Sequence, residues 1–423
     1  MNDCARRVLP FAGALVFGLM LLSTGSAATR KAKPEEVGLS SDRLARIHAV
    51  IERHIEARDF SGAVTLVARK GRVAHLEAQG RSDLKSDTPM SAAAIFRIAS
   101  MTKPIVATAV LMLMEEGTVR LNDPVSRFIP ELKSLKVAAA IEPGPATSLQ
   151  RTETPFYTMP AAREITVRDL LTHTSGFVSG GVSASEAAKN PRKPTDTLAT
   201  YLPQLASVPL AFQPGSRWTY SPGAGFDALA RIVEVVSGQS VDQFLRQRIF
   251  EPLAMKDTSF IVPEDRRARR ATMYQRTPEG LQLPPNPPPP AVTAYFSGGG
   301  GLSSTAEDYL QFGQMLLNRG ELNGKRLLGS RTVDLMASVH VPDTVPGRAP
   351  GRAFGLSVQV ISNPIAAGYH VSDGSYGWDG AFGTHYWVDP KEQIVGILMV
   401  QTSNPNRQAD RDFESAVMQA IVE

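Results

Sequence analysis

Residues 94–117 read AIFRIASMTKPIVATAVLMLMEEG. A short apolar run, Ile95, Phe96 and Ile98, leads into Ser100-Met101-Thr102-Lys103, and a mainly apolar segment then continues to Glu116. Gly117 is a natural stop, because glycine takes the left-handed conformation that ends helices. The spacing predicts a buried helix with Ser100 at its start and Lys103 three residues on, on the same face. Desolvation disfavours a charged amine, so a lysine among apolar side chains gives up its proton more readily. A serine beside such an amine is an activated nucleophile. A second Ser-x-x-Lys, Ser82-Asp83-Leu84-Lys85, lies in a polar turn. Its lysine stays protonated in water, and the match is read as noise.

Outward from this stretch, residues 41–58 place Leu44, Ile47, Val50, Ile51 and Ile55 at helical spacing, with Ser41 as N-cap. Residues 63–69 and 72–77 have strand composition and flank Lys70-Gly71, a hairpin signal. Residues 130–162 are irregular and read as a surface lobe, and 178–194 as a loop of small residues bordering a substrate entrance. Residues 134–162 and 178–194 are expected to shape the substrate pockets. Helices are expected over 165–171 (opening at Thr166), 195–207, 223–238, 241–249 and 305–320, with a proline-rich linker at 284–290. Strand composition returns at 354–361, 383–388 and 394–402, and residues 411–422 close the chain as an amphipathic helix. The simplest assembly is α/β (α+β): one antiparallel sheet from about 40–90 and 350–423, flanked by helices, with a helical lobe at about 105–345 inserted.

The 423 residues carry a formal net charge of +4. Arg266-Arg267-Ala268-Arg269-Arg270 is the densest basic run and reads as a solvated loop or helix end, so nucleic acid is not an expected partner. Residues 1–28 read as an export signal. Arg6 and Arg7 precede an apolar run at 8–22, and Ser26-Ala27-Ala28 offers a small-residue cleavage site. The run is short for a membrane span and lacks a basic stop-transfer flank. A periplasmic or secreted protein, with no stable membrane insertion after signal removal, is expected. Cys4 is the sole cysteine, so cleavage leaves no thiol for a disulfide, a nucleophile or a zinc thiolate. No His-Glu-x-x-His occurs and the histidines lack metal-like spacing; neither metal nor cofactor is expected.

Acyl transfer needs a second proton-transfer group and an oxyanion hole. Tyr220, in Trp-Thr-Tyr-Ser-Pro, is the candidate for the former. The glycine-rich residues 374–383 can form a strand edge that brings a backbone N–H next to Ser100. His173 is an alternative base, but Thr-His-Thr-Ser-Gly reads better as a helix-ending turn.

The ordered motifs SMTK, LLTHTSGF, WTYS, RIFEPLAMKDTSF, SGGGGLSST and GWDGAFGTHYWVDP resemble the serine β-lactamase-related family over about residues 40–420. That family holds class C β-lactamases, D-alanyl-D-alanine peptidases and family VIII carboxylesterases. The resemblance implies an α/β domain with a central antiparallel sheet, plus an all-helical domain, with the site between them. It implies Ser100 as the acylated nucleophile, Lys103 as its base, and Tyr220 sharing proton transfer, as phenolate or through Lys103. The backbone N–H groups of Ser100 and Ala381 resemble the oxyanion hole, and Trp378, Asp379 and Gly380 occupy the substrate-binding motif. Two positions depart from the pattern. Tyr-x-Asn becomes Tyr220-Ser221-Pro222, without the asparagine that binds an amide. Lys-Thr-Gly becomes Trp378-Asp379-Gly380, without the lysine that pairs with a substrate carboxylate. These losses favour a carboxylesterase for short-chain, neutral or apolar esters. An amidase of the same family (a D-amino-acid peptidase or weak β-lactamase) and a pocket that only binds are the alternatives. No Gly-x-Ser-x-Gly elbow marks an α/β-hydrolase. The expected partner is a small-molecule ester or amide, with the oligomeric state open.

Overall fold

The computed structural model describes residues 30–140, 155–285 and 294–423. The leader expected at 1–28 and most of the proline run at 284–290 lie outside the described residues.

An antiparallel sheet organises the chain. Its strands are β1 (Gly62–Arg69), β2 (Arg72–Asp83), β3 (Thr88–Pro89), β4 (Arg352–Phe354), β5 (Gln359–Ile361), β6 (Tyr376–Asp379), β7 (His385–Asp389) and β8 (Ile394–Val400). Their spatial order is β4-β5-β6-β7-β8-β1-β2-β3. The two ends of the chain meet at the β1–β8 pair, in register from Ala63 opposite Val400 to Arg69 opposite Ile394. Lys70 and Gly71 both have positive φ, +52° and +73°, the geometry of the two-residue turn whose twist suits a hairpin.

Side-chain alternation sorts the strands between two cores. Ala63, Val67, Leu398 and Val400 pack with Ile47 and Ile51 of α1 (Arg46–Glu56) and with Phe413 and Val417 of α6 (Gln408–Met418). Val64, Leu66, Ile397 and Met399 join the larger core on the opposite face. That core holds α2 (Thr102–Glu115), α3 (Val167–Leu171), α4 (Ala224–Ser237) and α5 (Ala306–Leu317). Every residue of β1 and β8 is buried, as expected for central strands covered on both sides. Thr102 to Leu113 of α2 are likewise all buried, so this helix is apolar around its whole circumference and lies in the interior.

Several local expectations shift. The opening helical turn is capped by Ser40, whose Oγ accepts from the Arg43 N–H, one residue before the expected Ser41. Residues 130–162 are not irregular throughout: Lys136–Ala140 pairs antiparallel with Phe156–Pro160. Three alanines gave the first of these strands weak strand propensity. The expected loop at 178–194 contains a helix, Gly181–Ala188, whose alanines favour helix once Gly180 and Gly181 have turned the chain. Thr166 caps α3 as expected, in a reciprocal capping box with Asp169.

Candidate active site

Ser100 sits in a single 3-10 turn, Ala99–Met101, and α2 proper begins two residues later at Thr102. Ala99 has φ +45°, a conformation that a residue with a Cβ adopts at a cost of about 1–3 kcal/mol when the surroundings impose it. The surroundings here are specific. The Ile98 N–H donates to Leu302 O at 3.0 Å, and the Leu302 N–H donates to Thr102 Oγ1 at 3.2 Å. Tyr309 Oη–H reaches Met101 O at 2.8 Å. The turn is thus bolted to the segment before α5.

Lys103 is fully buried beneath it. Its Nζ lies 3.1 Å from Ser100 Oγ, 2.8 Å from Pro222 O and 2.6 Å from Gly299 O. Burial lowers its pKa to about 7, with Asp227 opposing the shift. In the neutral amine two N–H bonds can satisfy the two carbonyls, which leaves the lone pair for the serine hydroxyl. The carbonyls therefore orient the amine as well as solvate it. Asp227 holds one of them in place, accepting from the Gly299 N–H at 3.0 Å, Ser297 Oγ at 2.7 Å and Tyr295 Oη at 2.7 Å. Sequence reasoning missed Asp227, Pro222 O and Gly299 O. The first gave no signal beyond an acidic residue in an apolar helix, and backbone carbonyls give none.

Tyr220 Oη lies 2.5 Å from Ser100 Oγ. Burial raises its pKa, partly offset by the Ser100 hydrogen bond, so the tyrosine is a neutral donor rather than the phenolate allowed by the sequence. An aromatic cage fixes the ring, with centroids at 4.7 Å for His173, 5.7 Å for Trp378 and 6.5 Å for Trp218. His173 makes no hydrogen bond to Ser100. It ends α3 in a left-handed turn (φ +58°), and its Nδ1 accepts from the Ser221 N–H at 3.2 Å. Burial, with Lys103 nearby, holds its pKa well below the ordinary value, so it is a neutral support for the Tyr220 segment. The decoy Ser82 donates weakly to the carbonyls of Thr88 and Pro89 at an exposed strand end.

β6 carries the remaining motif past Ser100. Ala381 lines the same cavity as Ser100, Tyr220, Trp378 and Asp379. Gly380 is the spacer that permits this approach: a Cβ there would lie 2.0 Å from Thr384 Oγ1 and 2.5 Å from Ile98 O, two residues before Ser100. Arg407 clamps the strand end by donating to Gly380 O at 2.7 Å. Gly380→Ala is expected to push Ala381 away from Ser100. Turnover should fall by about 10²-fold, the scale of losing one oxyanion donor. Stopped-flow kinetics against thermal melting checks this, and unchanged kcat in a folded variant would refute the placement.

The cavity measures about 450 Å³. Among the described residues its walls come from 352–387 and 407–414, together with Ser100 and Tyr220, and not from 134–162 or 178–194. Among the described residues, the wall of this cavity is supplied by the C-terminal strands and α6 rather than by the loops expected to form it. Asp379 lines the cavity, but its carboxylate is taken by His385 Nδ1 at 2.6 Å, and His385 Nε2 is bonded to Glu414 at 3.0 Å. Asp379, His385 and Asp410 offer metal-compatible atoms within 4.8 Å of one another. Both imidazole nitrogens are already engaged, and Arg407 sits 3.2 Å from Asp410. The cluster ties α6 to β6.

A serine, a buried lysine and a tyrosine joined at the edge of an antiparallel sheet, with a glycine-spaced strand beside them, define a serine hydrolase site on a β-lactamase/transpeptidase-like fold. The chain belongs to the family described as Beta-lactamase, which matches residues 47–420. Protein Rv1367c of Mycobacterium tuberculosis is 35% identical over 370 residues, covering 84% of this chain and 88% of that one. Esterase EstB of Burkholderia gladioli is 30% identical, covering 85% and 90%. Among solved structures, EstCE1, a hydrolase with promiscuous acyltransferase activity, superposes with a TM-score of 0.75 at 26% identity, covering 89% of this chain and 99% of that one. Simvastatin synthase from Aspergillus terreus shares the fold, with a TM-score of 0.73 at 24% identity over 90% and 98% of the chains. The family context is that of serine hydrolases including esterases, acyltransferases and penicillin-binding-like proteins. No helix among the described residues is long and apolar enough to cross a membrane.

Proposed function

We propose that the chain is a serine carboxylesterase that works through an acyl-enzyme on Ser100. The observation carrying this reading is the position of Ser100 Oγ, between a lysine whose pKa is lowered to about 7 and a neutral tyrosine donor. Ser100 Oγ attacks the ester carbonyl carbon while its proton passes to Lys103 Nζ. The carbonyl oxygen, now an oxyanion, is held by the N–H groups of Ser100 and Ala381. Collapse breaks the acyl–alkoxy bond. Tyr220 gives its proton to the departing alkoxide and is reprotonated from Lys103, whose Nζ lies 4.9 Å from the ring centre. Water then attacks the acyl carbon, loses its proton to the same pair, and Ser100 departs with a proton restored. The leader expected at 1–28 goes with this reading: we propose that the hydrolase acts in the periplasm or outside the cell.

Ester is preferred to amide because the two family groups that recognise amide and β-lactam substrates are replaced. Pro222 has no side-chain amide and spends its carbonyl on Lys103, while Trp378 packs 5.2 Å from Phe354 and 5.7 Å from Tyr220. The name of Esterase EstB supports the same choice. Side-by-side assays with p-nitrophenyl butyrate, nitrocefin and a D-alanyl-D-alanine peptide test it. The ester is expected to have the highest kcat/KM, by about 10²-fold or more, a margin of roughly 2.7 kcal/mol. Nitrocefin or peptide turnover equal to the ester's would overturn it.

A further inference from the structure

The cavity that opens at Ser100 also has a cationic part of its wall. Arg352, Tyr369 and Arg411 line it, with the guanidinium carbons of Arg352 and Arg411 4.8 Å and 5.2 Å from the Tyr369 ring centre. Among the described residues neither guanidinium makes an ion pair or hydrogen bond, and the Nε of Arg352 is buried without a partner. Elsewhere along the wall the charges are largely matched. Arg407 engages Asp410 and Gly380 O, and His385 lies between Asp379 and Glu414. Burial alone would discharge His385, but its two carboxylate partners hold its pKa well above the ordinary value, so it is an imidazolium. One Glu414 oxygen remains unpaired. Counting Arg352, Arg407, Arg411 and His385 against Asp379, Asp410 and Glu414, four cations face three carboxylates. Burial also pushes Asp410 up to about 7, which removes part of one negative charge.

A guanidinium presents a planar fork of donors that matches a carboxylate in bidentate fashion, and partial burial reduces screening of the pair by salt. The cavity volume falls within the range of about 300–1,000 Å³ typical of small-molecule sites. We propose that Arg352 and Arg411 receive a carboxylate at the far end of the substrate, making the substrate class an ester that carries a free carboxylate remote from the scissile bond. This rests on the reading of Ser100 as nucleophile. It departs from the expectation of an uncharged acyl group, which rested on Pro222 and Trp378.

The test compares the p-nitrophenyl hemiester of glutaric acid with its methyl ester, in which the far carboxylate is capped as a neutral ester and p-nitrophenol release is still the readout. Wild-type enzyme is expected to favour the anionic ester by about tenfold in kcat/KM, equivalent to about 1.4 kcal/mol, and mainly through KM. R352Q and R411Q should each bring the ratio towards one, and R352K should retain part of it. The ratio is read within each variant. R411Q, at an exposed helix position, covers the case in which R352Q does not fold. A wild-type ratio of one or less, or a ratio unmoved in R411Q and in folded R352Q, overturns the proposal. A second measurement separates it from the nucleophile assignment. Ser100→Ala should bind monoethyl glutarate in calorimetry, and addition of R352Q or R411Q should abolish that binding. Arg-dependent binding without turnover of either ester would leave the anion site standing and remove the hydrolase reading. Turnover without charge preference would do the reverse, and failure of both would remove both.

Discussion

Ser100→Ala is expected to lower kcat for p-nitrophenyl butyrate by roughly 10⁶-fold, the loss seen when a serine hydrolase keeps its binding site and oxyanion hole but has no nucleophile. The physical reason is local. Ser100 Oγ is the atom on which Lys103 Nζ and Tyr220 Oη both converge, at 3.1 Å and 2.5 Å, and no neighbouring hydroxyl shares that position. Thr102, two residues on, turns its Oγ1 to the Leu302 N–H. Alanine removes one atom from a buried turn that is held by Leu302 and Tyr309, so the fold should remain intact in circular dichroism and melting. A fluorophosphonate should label the wild type at Ser100 and leave the variant unlabelled. Retention of most of the activity in a folded variant would sink the mechanism.

Lys103 carries the second large effect. Lys103→Met keeps the length of the side chain and removes the base, and kcat should fall by about 10²–10⁴-fold. Lys103→Arg should be inactive as well, because a guanidinium stays protonated and has no lone pair for the serine proton. In the wild type the amine is protonated below about pH 7 and neutral above it. Activity is therefore expected to rise as pH increases from 6 to 8, with a midpoint near 7. A flat profile over that interval, or an active Lys103→Arg, would remove lysine from the base role. Two effects on stability oppose each other. Met removes a desolvated amine from a site with no exposure to solvent but leaves the carbonyls of Pro222 and Gly299 without their donor, so Lys103→Met is expected to melt close to wild type despite its inactivity. A large drop in melting temperature would instead assign Lys103 a structural role.

Much of this site was legible in the chain because its parts are side chains at short, periodic spacing. Ser100 and Lys103 are three residues apart on one helix, and only their apolar surroundings separate them from the polar decoy at Ser82. Lys70-Gly71 specified its hairpin through two residues that accept positive φ. Tyr220 and the glycine-rich 374–383 stood as candidates from their residues, and the resemblance of ordered motifs singled out Tyr220 and Ala381, since nothing local connects them to Ser100. The misses share one cause. The hairpin of 136–140 with 156–160, the cavity walls from 352 to 414, and the carbonyls of Pro222 and Gly299 all depend on which distant segments meet.

The division is therefore between chemistry and surroundings. Composition and spacing along one helix sufficed to specify a serine activated by a desolvated lysine, because helix geometry converts a three-residue interval into a contact. The protonation of Tyr220, the orientation of the Lys103 amine and the cationic wall at Arg352 and Arg411 were decided by the tertiary structure alone. Each is set by burial and by groups brought from separate parts of the chain, and neither solvation nor long-range proximity is written in local sequence.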